Sequence, residues 1–132
     1  MAAKKILLVD DESHFCFFLK KNLEAAGDFE VVVCSDSPTA LKQAKQIRPD
    51  LILLDILMPG MTGVDIAEQL KNSPETARIP VVFLTALTTK EETAERRNLV
   101  GGMYMVAKPV NMDELIHVIQ TTTKNNGGKV GA

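Results

Sequence analysis

Five short apolar runs punctuate the chain, and a stretch with helical character follows each. The runs are Ile6 to Val9, Val31 to Val33, Leu51 to Leu54, Val81 to Leu84 and Met103 to Ala107. Continuous apolar runs, rather than strict alternation, mark strands buried on both faces. Between the first two, Ser13 is placed to cap a helix that lasts to Gly27. At about 100° per residue, Phe15, Phe18, Leu19, Leu23 and Ala26 share one face of it. Ser37-Pro38 offers a cap followed by proline at the first helical position, and Pro49 lies just beyond that helix's end. Thr62 caps a third helix whose apolar face is Val64, Ala67 and Leu70. A fourth, roughly Lys90 to Val100, is polar and stops at Gly101-Gly102. Asn111, with Glu114 three residues on, has the form of a capping box for a last helix burying Leu115, Ile116 and Ile119.

This alternation predicts an α/β fold, (βα)5, in which a doubly wound five-stranded parallel sheet carries helices on both faces. One domain is expected over residues 1–124, and the Gly-rich segment 125–132 is expected to be a flexible tail. In open sheets of this kind ligands bind beyond the carboxyl ends of the strands, where the strand order switches. Chemistry is therefore expected in the residues that immediately follow each strand.

Those positions are polar. Asp10, Asp11 and Glu12 follow the first run, Asp55 the third, Thr85 the fourth, and Lys108-Pro109 the fifth. A single acid at a strand end is most often a helix cap or a solvated loop charge. Polar groups at four strand ends, all usable by one phosphoryl-transfer site, are a far more specific signal. Crowded carboxylates repel one another unless a cation neutralises them, and a hard ion with oxygen ligands, Mg²⁺ above all, suits such a site. Asp55 is then the nucleophile that forms an aspartyl phosphate, with Mg²⁺ held by Asp10, Asp11 and Asp55. Lys108 supplies a point charge to one phosphoryl oxygen and the Thr85 hydroxyl a hydrogen bond to another. Little covalent machinery is required, because phosphoryl transfer is mostly positioning and electrostatics.

The segments Val9-Asp10-Asp11, Leu54-Asp55-Ile56-Leu57-Met58-Pro59-Gly60-Met61-Thr62-Gly63, Leu84-Thr85-Ala86 and Ala107-Lys108-Pro109 together resemble a known family. It is the response-regulator receiver domain, the flavodoxin-like module shared with the bacterial chemotaxis regulator, and the likeness runs from about Lys5 to Thr123. The resemblance implies that a histidine kinase or histidine phosphotransfer protein donates a phosphoryl group from a phosphohistidine. It implies that Asp11 touches the metal directly and Asp10 largely through water. The backbone carbonyl of Leu57 would complete the protein ligands, and the Lys108–Pro109 bond would be cis. The domain would catalyse only its own phosphorylation and dephosphorylation, and would signal by a phosphorylation-dependent change of shape.

Two positions depart from the family pattern. The switch aromatic belongs three residues before the lysine, where this chain has Met105; Tyr104 lies one residue earlier, on the other face of a strand. Either Met105 serves as a flexible substitute or the output is relayed differently. Leu57 and Leu87, two residues after Asp55 and Thr85, flank the phosphoryl group in the family. Both are apolar and cannot orient an attacking water, so slow autodephosphorylation is expected.

Composition narrows the partners. The formal net charge of −2 over 132 residues argues against a broad electrostatic grip on nucleic acid or an anionic membrane. The first apolar run is too short for a signal sequence or a membrane span, and a cytoplasmic protein is expected. Cys16 and Cys34 have no metal-like spacing and read as buried or idle thiols. Phe17 points away from the apolar face of its helix, with His14 nearby, where receivers commonly dock their phosphodonor. The charged segment Lys90, Glu91, Glu92, Glu95, Arg96 and Arg97 reads as a solvated face or, more sharply, as part of an output surface. Nothing after Thr123 forms an effector, so output requires a downstream protein partner or an effector domain missing from this sequence; a homodimer stays open.

Rival readings are weaker. A metal-dependent phosphatase would need a second acid where Leu57 stands, and no Gly-rich loop follows the first strand to bind a dinucleotide. A phosphorylation-inactive receiver, acting as a dimerising or scaffold module, conflicts with the intact Asp10, Asp11, Asp55, Thr85 and Lys108.

Overall fold

A computed structural model describes residues 3–56, 58, 61–85 and 104–131, with side chains through Thr123. The apolar runs form strands β1 (Lys4–Val9), β2 (Phe29–Cys34), β3 (Leu51–Asp55), β4 (Val81–Thr85) and β5 (Tyr104–Ala107). All pair in parallel in one sheet of order β2-β1-β3-β4-β5. The described helices are α1 (Ser13–Ala26), α2 (Ala40–Ile47, after a 3-10 turn at Ser37–Thr39), α3 (Gly63–Lys71) and α4 (Met112–Gly131). The polar helix expected near Lys90 to Val100, with Gly101-Gly102, lies outside the described residues.

The strands read as continuous apolar runs because both faces are covered. Alternate side chains leave a strand in opposite directions, and the core divides accordingly. Ile6, Leu8, Leu51, Leu53, Val82, Leu84 and Val106 pack with Cys16, Leu19 and Leu23 of α1 and with Leu115 and Ile119 of α4. Leu7, Val9, Ile52, Leu54, Phe83 and Met105 pack on the other side with Ala40 and Ala44 of α2 and with Ile66, Ala67 and Leu70 of α3. The sheet is the shared wall between these two cores.

Several helix details differ from expectation. Ser13 is the first residue of α1 rather than its cap; Glu12 holds that place, without a side-chain cap bond. The buried stripe of α1 is Cys16, Leu19 and Leu23, which leaves Phe18 on its flank at 48% exposure and Ala26 exposed at the helix end. On α3 the stripe is Gly63, Ile66, Ala67 and Leu70, the i, i+3, i+4, i+7 pattern, and Val64 falls outside it. Gly27 ends α1 with extended backbone, whereas the left-handed residue is Arg48 (φ 53°), whose N–H closes α2 on the Ala44 carbonyl at 2.9 Å. Ile116 is only partly buried against the core. The backbone of α4 is helical to Gly131.

The Thr62 expectation holds in full. Its Oγ1 accepts from the Asp65 N–H at 3.2 Å, and an Asp65 carboxylate oxygen accepts from the Thr62 N–H at 3.3 Å. The Glu114 N–H likewise donates to the Asn111 side chain at 3.0 Å. At the open edge of the sheet, Lys20 donates to the Val31 carbonyl at 2.7 Å and Glu24 accepts from the Val31 N–H at 2.9 Å. This pair caps backbone groups that another strand would otherwise find.

Candidate functional site

The sheet order changes direction between β1 and β3, and the register there sets the site. Val9 pairs with Leu54, so Asp10 and Asp55 emerge side by side at the carboxyl rim. Asp55 pairs with Leu84 and Thr85 with Ala107, which brings Thr85 and then Lys108 to the same rim. The Lys108 N–H extends the pairing by donating to the Thr85 carbonyl at 2.8 Å. The Lys108–Pro109 peptide is cis, as the resemblance implies.

Asp10, Asp11 and Asp55 each offer a carboxylate oxygen within 4.8 Å of the other two. Asp10 is fully buried, Asp55 nearly so, and Asp11 is exposed. Opposite oxygen ligands of an octahedral Mg²⁺ are about 4.1 Å apart, twice the 2.0–2.1 Å bond. The cluster therefore has close to the spread and the all-oxygen chemistry that such an ion requires.

Lys108 lies against these acids. Its Nζ is 2.8 Å from one Asp10 carboxylate oxygen and 3.6 Å from one of Asp55. The second Asp10 oxygen accepts from the Glu12 N–H at 2.9 Å. Burial disfavours the ammonium charge, but the hydrogen bond and attraction to Asp10, helped by Asp55 and Glu12, outweigh it and raise the Lys108 pKa. The ring of Phe15 covers the same ammonium from 4.2 Å.

The two cysteines are free and buried. The Cys16 thiol donates to the Asp10 carbonyl at 3.3 Å, and burial, with Asp10 next, pushes its pKa up to about 12. An inert thiol beside the site agrees with the sequence reading.

Of the expected site residues, Asp10, Asp11, Asp55, Thr85 and Lys108 come to one rim. Met105 pairs with Phe83, two residues before Thr85, and packs in the core on that face; Tyr104 packs on the opposite face. Leu57 and Leu87 lie outside the described residues. Phe17 is exposed at 68%. Sequence reasoning missed two residues. The apolar pattern reads Phe15 as packing alone, although an aromatic in the first turn after an acid pair is its available signal. Gly63 abuts the Asp55 carbonyl, and nothing in its spacing announces that contact.

The family model described as the response regulator receiver domain matches residues 6–120. The alkaline phosphatase synthesis transcriptional regulatory protein PhoP of Bacillus subtilis is 41% identical over 112 residues, 85% of this chain and 45% of its own length. Vibrio cholerae chemotaxis protein CheY4 superposes with a TM-score of 0.78 at 30% identity, over 92% of this chain and 99% of that one. The receiver domain of the sensor histidine kinase PA1611 from Pseudomonas aeruginosa, solved with a magnesium ion coordinated in its active-site cleft, gives a TM-score of 0.79 at 27% identity, covering 93% and 99%. The chain spans between about a quarter and a half of the first curated relatives it matches, from 26% to 48%.

Proposed function

The chain belongs to the response regulator receiver domain family, and on that premise we propose that it is a phosphoacceptor switch of two-component signalling whose acceptor is Asp55. The observation that carries this reading is the convergence of Asp10, Asp11 and Asp55 within 4.8 Å, with the Lys108 ammonium 3.6 Å from Asp55. In the proposed reaction an Asp55 carboxylate oxygen attacks the phosphorus of a phosphohistidine, borne by a histidine kinase or phosphotransfer protein. The N–P bond breaks, an acyl phosphate forms, and the donor imidazole keeps the bonding pair.

Asp10, Asp11, Asp55 and the Leu57 backbone carbonyl would hold Mg²⁺, which supplies charge neutralisation for the acids and the phosphoryl oxygens. Lys108, already drawn toward Asp55, is placed to neutralise one phosphoryl oxygen, and Thr85 to donate to another. The domain thereby catalyses its own phosphorylation and dephosphorylation and no further reaction. Met105 is the better candidate for the switch, because it shares Thr85's face of the sheet and Tyr104 does not.

Outside the site, the reading rests on weaker supports. We place the receiver domain at residues 1–124 and treat 125–132 as an extension beyond it. Two free cysteines fit a reducing cytoplasm, and no helix among the described residues is long and apolar enough to cross a membrane. Output passes to a downstream partner or to an effector domain, as the regulatory names of longer relatives suggest.

Intact mass after incubation with acetyl phosphate tests the core of this reading. A gain of one phosphoryl group is expected in Mg²⁺, none in EDTA, and none for Asp55→Asn. No gain in Mg²⁺, even from a phosphorylated histidine-containing donor, would sink it in favour of an inert scaffold.

Phosphate loss provides a second prediction. In the family the positions that Leu57 and Leu87 occupy flank the phosphoryl group, and an apolar side chain at either cannot hydrogen-bond a water. Leu87→Glu should speed dephosphorylation by about threefold to tenfold, the worth of one added hydrogen bond. An unchanged decay of the phosphorylated mass would refute that assignment.

A further inference from the structure

Among the described residues Lys108 has two kinds of partner, and only one of them is an acid. Its Nζ is 2.8 Å from Asp10 and 3.6 Å from Asp55. On another side the ammonium lies 4.2 Å from the centroid of the Phe15 ring, within the range where an aromatic face attracts a cation. The ring is itself seated: Phe15 is partly buried against the core formed by α1, α4 and one face of the sheet. Its neighbour Cys16 is tied to the Asp10 carbonyl, so this turn of α1 is anchored to the end of β1.

We propose that Phe15 is a positioning residue for Lys108, an aromatic wall that holds the ammonium at the phosphoryl site. This rests on the phosphoacceptor reading and adds a residue to it. Asp10 and Asp55 are also the acids that Mg²⁺ would share, and Asp55 is the group to be phosphorylated. Among the described residues, the ring is the partner that neither event competes for. A lysine on a flexible four-carbon stem has many conformations to lose. A ring that keeps it near the acids reduces what must be ordered when the phosphoryl oxygen arrives.

Phe15→Leu removes the π face while keeping an apolar side chain of comparable reach, and Phe15→Tyr keeps the face. The first readout is the NMR shift of the Lys108 ε-methylene protons in unphosphorylated protein, with and without Mg²⁺. An aromatic ring this close moves those signals upfield in the wild type and in Phe15→Tyr, and Phe15→Leu loses the displacement. The second is the rate of phosphorylation by acetyl phosphate at saturating Mg²⁺. It should fall about threefold to tenfold in Phe15→Leu and return to within about twofold of wild type in Phe15→Tyr. The fall should lie in the maximal rate rather than in the acetyl phosphate concentration at half-saturation.

Equal Lys108 shifts in wild type and Phe15→Leu would overturn the contact. A Phe15→Leu protein phosphorylated at the wild-type rate would overturn the positioning role alone. A wild-type protein that takes no phosphoryl group would overturn the functional reading and this inference with it.

Discussion

Replacing Lys108 by methionine should cost the metal-free protein about 2–4 kcal/mol at pH 7, because it strips a buried carboxylate of its cation. Asp10 is 0% exposed, and Lys108 is hydrogen-bonded to it at 2.8 Å. Methionine preserves the unbranched stem beside Phe15, so the change isolates the charge. In the wild type the Lys108 pKa is raised, so the folded protein binds that proton more tightly than the unfolded chain does. The contribution of the pair is thus complete below the ordinary lysine value of about 10.4 and is lost only as the pH rises through the raised one. Urea titrations of both proteins in EDTA, at pH 7 and at alkaline pH above the ordinary lysine value, measure both statements, the penalty shrinking at the higher pH. Mg²⁺ should stabilise Lys108→Met more than the wild type, because the ion then meets acids with no resident cation. An equal loss at both pH values would assign the effect to packing of the lysine stem.

The fold was legible because its signals are local or periodic. Five apolar runs and the caps at Thr62 and Asn111 identify elements without reference to anything distant, and the strand-end rule then gathers Asp10, Asp55, Thr85 and Lys108 at one rim. What escaped depends on contacts across the fold. The choice of Ile66 over Val64, and of Cys16 over Phe18, is made by where the sheet lies against each helix. A helical wheel gives the width of an apolar face but not its centre when hydrophobes sit on both flanks. Phe15 shows the same limit at the site: its value comes from Lys108, 93 residues later, and only the pairing of β4 with β5 brings the two together.

Gly63→Ala is expected to damage both stability and phosphorylation, although it adds one methyl group to a helix end. A Cβ at this position would overlap the Asp55 carbonyl oxygen and lie 2.9 Å from the Ile56 Cα and 3.0 Å from the Asp55 carbonyl carbon. All three are backbone atoms, so no side chain can rotate away. The chain cannot easily retreat either. The Gly63 N–H donates to the Ile56 carbonyl at 2.8 Å, and the reciprocal Thr62–Asp65 bonds fix the start of α3. Either α3 tilts off the sheet or the backbone that carries Asp55, the proposed acceptor, shifts. Overpacking of this kind costs about 1–3 kcal/mol, and displacing a reacting group by about 1 Å can slow a reaction on the order of a hundredfold. The expected result is a lower urea midpoint together with a fall in the acetyl phosphate reaction of about tenfold or more. Val64→Ala, at an exposed position one residue on, should leave both close to wild type. The pattern of loss locates the strain. A destabilised Gly63→Ala that still phosphorylates at the wild-type rate would mean that α3 yields and β3 holds. Loss of phosphorylation in a folded protein would mean that the glycine is there to let the Asp55 backbone pass, and wild-type behaviour in both assays would refute the close approach.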